Sequence, residues 1–164
     1  MMRPVLVIAA AIALVACQSN TGRQASGPKQ PELTVPAGAQ SVRIAAGPEQ
    51  VRAALVQSAT ERGTAVVQDQ PNMVVMERTL TEANPALDAE FGPSDNGNRV
   101  IRIRVRFTGV ACNTLAVQDL AVINNARTAL EQSFVLPGNP NTMESLQGLK
   151  SRAEIASGCP MLTG

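Results

Sequence analysis

The stretch RVIRIRVRFT, residues 99–108, decides the fold class. Ile101, Ile103, Val105 and Phe107 alternate with Arg102, Arg104 and Arg106. Successive side chains of a strand point to opposite faces, so the four apolar residues share one face and the three arginines the other. A strand buried on one side and polar on the other belongs to an antiparallel sheet with one covered face.

Working outward, Met73 to Leu80 and Thr64 to Gln68 read as two further strands, joined by the turn residues Asp69-Gln70-Pro71-Asn72. Ahead of them, Gly47-Pro48-Glu49 has the chemistry of a helix start and Gly63 that of a helix stop, with Val51, Ala54 and Leu55 as the buried stripe between. Ser41 to Ile44 alternates as a short strand. Residues 81–98 hold Pro85, Gly92, Pro93 and Gly97 and predict a long polar loop, with Phe91 as its local apolar anchor.

On the C-terminal side, Thr114 to Ile123 is apolar enough for another strand. Arg127 to Leu136 fits either a helix or a strand face, and pairing with the preceding segment favours the strand. Pro137-Gly138-Asn139-Pro140 then stops the chain. Asn141 and Glu144 have capping-box spacing, and Met143, Leu146, Leu149, Ala153 and Ala156 form the apolar face of a second helix that Gly158 ends. The sum is an α+β domain: an antiparallel sheet of four to six strands with two helices packed on one face.

Composition excludes more than it includes. Histidine is absent, so no imidazole base, no Ser-His or Cys-His pair and no common transition-metal site is available. Trp and Tyr are also absent, and the three phenylalanines leave little for stacking sugars or bases. The only lysines are Lys29 and Lys150, which removes an obvious Ser-Lys arrangement. No glycine-rich phosphate loop or nucleic-acid motif occurs. These absences predict no enzyme activity, no cofactor, no metal and no nucleic-acid partner.

The N-terminus supplies an address. Arg3 is followed by an uncharged apolar run from Val5 to Val15, too short to cross a bilayer comfortably, and the run ends in Leu14-Val15-Ala16-Cys17. Those four residues resemble the lipobox of bacterial lipoproteins. The resemblance implies removal of residues 1–16 as a signal peptide and acylation of Cys17, where two or three chains make a durable anchor. The competing reading is an ordinary signal peptide cleaved near Ala16, or an apolar tether that is not cleaved. Gln18 rather than Asp follows the cysteine, which by the family's sorting rule implies the outer membrane, facing the periplasm. Residues 17–39 then form a lipidated N-terminus and flexible tether, and residues 40–164 a periplasmic domain. Loss of Arg3 takes the 14 basic side chains to 13, against 13 acidic ones, so no overall field draws the domain to a polyanion.

In an oxidising compartment the two remaining cysteines, Cys112 and Cys159, are expected to join, a link worth on the order of 3–4 kcal/mol by loop closure. It would pin the last helix to the end of the arginine strand. Arg102, Arg104 and Arg106 are the candidate binding face, since guanidinium groups about 7 Å apart along one strand face can clamp phosphates or carboxylates. The plainer alternative pairs them with acids on neighbouring strands, such as Glu77, Asp119 or Glu131. The functional expectation is a membrane-anchored, non-enzymatic accessory or assembly subunit that binds a protein partner in the cell envelope. The alternative is a binder of anionic lipid or glycan through the arginine face.

Overall fold

The structure, a computed structural model, describes residues 33–160. Cys17, the signal-peptide segment and most of the tether lie outside the described residues. Nine elements follow in order: β1 (Gln40–Ile44), α1 (Pro48–Glu61), β2 (Ala65–Gln70), β3 (Met73–Leu80), α2 (Pro85–Phe91), β4 (Asn98–Val110), β5 (Asn113–Ala126), β6 (Gln132–Leu136) and α3 (Pro140–Ser157). The six strands form one antiparallel sheet in the order β1-β5-β4-β3-β2, with β6 also pairing β5. The long β5 meets β1 through Thr114–Gln118 and β6 through Leu120–Asn124, so those two short strands share one edge. β2 is the other edge.

α1 and α3 cover the face that carries Val105 and Phe107. Val51, Ala54, Leu55 and Ala59 of α1 and Leu146, Leu149 and Ala153 of α3 pack with Val42, Ile44, Val74, Met76 and Ala116 into the main core. Phe107 is its largest fully buried side chain. Proline at the start of α1 is cheap because the first-turn N–H groups lack helical partners anyway.

The connection from β1 to α1 is buried, and its backbone must be satisfied from outside the strand ladder. α3 does this for Ala45: the Glu154 carboxylate accepts from its N–H at 2.8 Å, and the Ser157 hydroxyl donates to its carbonyl at 2.8 Å. The Thr114 hydroxyl donates to the Ala46 carbonyl at 2.7 Å. Beside this clamp the Cys112–Cys159 disulfide joins the β4–β5 turn to the residue after the Gly158 cap, with a Cα–Cα distance of 5.5 Å. The terminal helix is thus pinned to the end of the arginine strand, as expected from pairing the two cysteines left beside Cys17.

Four details differ from the sequence reading. The supposed loop at 81–98 contains a third helix, α2, whose N-cap Asn84 accepts from the Leu87 N–H. It buries no residue of its own, so no apolar stripe announces it; Phe91 at its end packs on Phe134 in a tilted pair with ring centroids 5.2 Å apart. The capping box of α3 is Asn139 with Thr142, because Pro140 takes the first helical position and shifts the cap back from Asn141. The final strand is shortened to Gln132–Leu136, since Asn125 and Arg127 adopt positive φ and turn the chain. Ala156 is exposed, and buried Thr142 belongs to the helix's inner face instead. Within α3, Gly148 costs about 1 kcal/mol relative to alanine, yet nothing beyond its chain neighbours and the surrounding helix backbone lies within 4 Å of where its Cβ would sit.

Burial works against the Glu154 charge, but the Ala45 N–H and the Lys150 ammonium outweigh it and hold the carboxyl below its ordinary value of 4.5. A depressed native pKa means a stabilisation that is complete above the unfolded value and lost as pH falls through the native one. Thermal melting from pH 7 to pH 3 is therefore expected to show an acid-side loss of stability below about pH 5 that Glu154→Gln shares less. Glu154→Leu, which strands the Ala45 N–H, is expected to cost about 1–3 kcal/mol at pH 7 by urea unfolding.

Candidate functional site

Alternation along β4 sends Arg102, Arg104 and Arg106 to the face opposite α1 and α3. Register brings Met73, Val75 and Glu77 of β3 beside them on one side, and Val117, Asp119 and Ala121 of β5 on the other. Ser133 and Val135 of β6 extend the face past Ile123 and Ala121. Val135 stands 75% exposed and Val67, at the β2 bulge, 44% exposed. A shallow, open trough of about 590 Å³ runs over this surface, lined by Val67, Val75, Glu77, Arg102, Arg104 and Val135 among others.

Each of the three arginines is ion-paired. Arg102 meets Glu77 at 2.7 Å and Glu131 at 3.2 Å. Arg104 and Arg106 converge on one oxygen of Asp119, at 2.9 and 3.1 Å. The three expected acids are the ones engaged, Glu77 and Asp119 from the neighbouring strands and Glu131 from the turn just before β6 rather than from a strand. A fourth cation was not foreseen: Arg127 reaches Glu77 from the turn before β6. Nothing in a strand pattern signals it, because its position depends on the positive φ of Arg127 itself.

The charges on this face are mutually fixed. For Arg102, desolvation opposes the positive form, but the hydrogen bond and charge of Glu77, with Glu131 behind them, raise its pKa above the ordinary value. Glu131 is held low first by the Arg127 backbone N–H and then, against desolvation, by the Arg102 charge. Each of these carboxylates is committed to guanidinium groups, so none is set up as a free acid or base beside a second one. Among the described residues, no group of three His, Cys, Asp or Glu side chains is placed to hold a metal ion. What the surface offers is an array of oriented donors and acceptors with apolar flanks.

A buried cation lies at the far end of the sheet. Arg99, 7% exposed, donates to Asn124 and Asp88 at 2.7 Å each and to the Gly92 carbonyl, fastening α2 to β4 and β5. Its satisfied hydrogen bonds mark it as a structural anchor.

Glu77 is the keystone of the array, with a side chain only 4% exposed between two arginines. Glu77→Gln is expected to cost about 1–3 kcal/mol, since the arginines left behind recover only part of their hydration. Arg104→Ser, which removes a half-exposed arginine and leaves Asp119 paired with Arg106, is expected to cost less than about 1 kcal/mol. Urea unfolding of the two variants checks this order.

No family model matches the chain, and neither does any curated protein. Among solved structures, it is similar to the crystal structure of a TBP-like protein from Parabacteroides distasonis, at 10% identity and a TM-score of 0.31, over 62% of this chain and 69% of that one. A likeness this slight carries no argument.

Proposed function

We propose that this protein is a lipid-anchored subunit of a bacterial cell envelope that docks a protein partner on its open sheet face and carries out no chemistry of its own. The observation that supports this reading best is the state of the arginines. Arg102 and Arg127 stand against Glu77 and Glu131, and Arg104 and Arg106 against Asp119, in two adjacent clusters flanked by exposed Val67 and Val135. A surface with interleaved charges of both signs and an apolar margin suits a protein interface, where complementary charge sets register and partner choice. An anionic lipid or glycan at the same place would have to displace carboxylates already bonded to the guanidinium groups.

The anchor rests on the resemblance of Leu14-Val15-Ala16-Cys17 to a lipobox, with acylated Cys17 as the first residue after cleavage. Gln18 favours the outer membrane and the periplasmic side. The Cys112–Cys159 disulfide suits an oxidising compartment of that kind. A tether over residues 17–39 would let the domain reach partners away from the bilayer surface.

Two measurements test the proposal. Labelled palmitate is expected in the native chain and not in Cys17→Ser, which should also leave the outer-membrane fraction; normal processing and unchanged fractionation of that variant would defeat the anchor. A photo-crosslinking residue at Val135 is expected to capture one envelope protein in native membranes, while the same residue at Ile155, 86% exposed on α3, captures none. The capture should vanish in Arg102/Arg104/Arg106→Ser with the circular dichroism spectrum intact. Equal capture by that variant would remove the arginine face from the interface.

A further inference from the structure

On the opposite side of the sheet, we propose a second and separate site: a recess that binds a single fatty acyl chain ending in a carboxylate. The recess lies where the helix layer stops short of the strands. Its floor is the far half of β3 and β4, with Met76, Leu80, Ile101 and Ile103, and its wall is Leu55 and Ala59 of α1 with Leu149 of α3. Its volume of about 340 Å³ falls within the range of small-molecule sites, which are concave and mainly apolar with a few placed polar groups.

The charge at its margin selects the ligand. Arg62, Arg78 and Arg152 line the recess, and no acidic residue does. Arg152 is paired with Glu61 at 2.8 Å. Arg62 and Arg78 have no ion pair among the described residues, in contrast to Arg102, Arg104, Arg106 and Arg127 of the opposite face. An apolar slot with two uncommitted guanidinium groups at its rim fits a hydrocarbon chain with an anionic end, since the chain leaves water for the slot and the carboxylate takes charge-assisted, bidentate hydrogen bonds.

Gly148 contributes the room. It lines the recess from the middle of α3, where glycine is a poor helix former, and open space surrounds the position of its missing Cβ. A Cβ there meets no neighbouring element, so a larger side chain at this lining position is the variant designed to fill the recess while favouring the helix.

The test uses the full chain in zwitterionic nanodiscs, a dodecanoate carrying a diazirine on its chain, and mapping of the labelled peptides. Labelling is expected on the strand and helix segments around Ile101, Ile103 and Leu149. Arg62→Ser/Arg78→Ser should raise the half-saturating concentration about ten- to hundredfold, as expected for losing charge-assisted hydrogen bonds. Gly148→Met should reduce labelling at least as much while its melting temperature rises. The matching diazirine dodecanol should label weakly and ignore the arginine changes. Equal half-saturation for acid and alcohol, labelling confined to the arginine face, or a Gly148→Met variant that labels like the parent would each overturn the site. Self-association of the parent that Gly148→Met abolishes would give the recess to a second copy and overturn it too. These outcomes are independent of partner capture at Val135, which reports the other face.

Discussion

Everything on either face depends on the register between β4 and β5. The two strands pair from Asn98 opposite Ala126 to Val110 opposite Asn113, the longest ladder in the sheet. Side chains alternate with a period of two, so a slip of one residue would exchange the faces of one strand relative to the other. Arg102, Arg104 and Arg106 would then point into the helix layer, where a guanidinium without a partner is several kcal/mol too costly. The turn that sets the register contains Cys112, at a φ of 62° that most side chains avoid. Its sulfur is bonded to Cys159, so the tip of the hairpin is held by the end of α3 as well as by its own ladder.

The same alternation sorts the arginines into two populations. On the open face they arrive with acids in matched rows, because Glu77 and Asp119 stand directly opposite Arg102 and Arg104 in neighbouring strands. Arg78, one residue beyond Glu77, is turned to the helix side, where its register partner is Ile101. Among the described residues no acid pairs with it there, and Glu61 is engaged by Arg152 instead. A nearly neutral chain is therefore locally uneven: on one face Arg102, Arg104, Arg106 and Arg127 are each paired with an acid, and at the margin of the other Arg62 and Arg78 have no ion pair among the described residues.

The alternation in residues 99–108 and the glycine and proline punctuation around α1 and α3 made the sheet, its covered face and two helices legible. Physical chemistry of single elements is sufficient for those, because each pattern repeats over several turns or residue pairs. α2 escaped because it is short, starts at Pro85, ends at Gly92 and buries none of its own residues, so composition alone looked like loop. The acids opposite the arginines were readable from cross-strand geometry, whereas Arg127 was not, being aimed by a left-handed turn residue. The recess was invisible for a different reason. Ile101 and Ile103 read as core in any strand pattern, and only the placement of α1 and α3 leaves them partly uncovered.

That incomplete cover follows from lengths. β4 has 13 residues and at about 3.3 Å per residue extends about 43 Å. α1 has 14 residues and at 1.5 Å each extends only about 21 Å, and α3 with 18 about 27 Å. Two helices of that reach cannot cover so long a strand, and where they are fastened decides which end is left bare. The Ala45 clamp and the disulfide fix them at the hairpin-tip end of β4 and β5. At the opposite extreme, α2 and Arg99 close the sheet over Phe134 and Asn124. The gap must fall between these two fastenings, over Ile101 and Ile103. Since strands of that length are what align the arginine array on the other side, the open face and the recess behind it have one geometric cause.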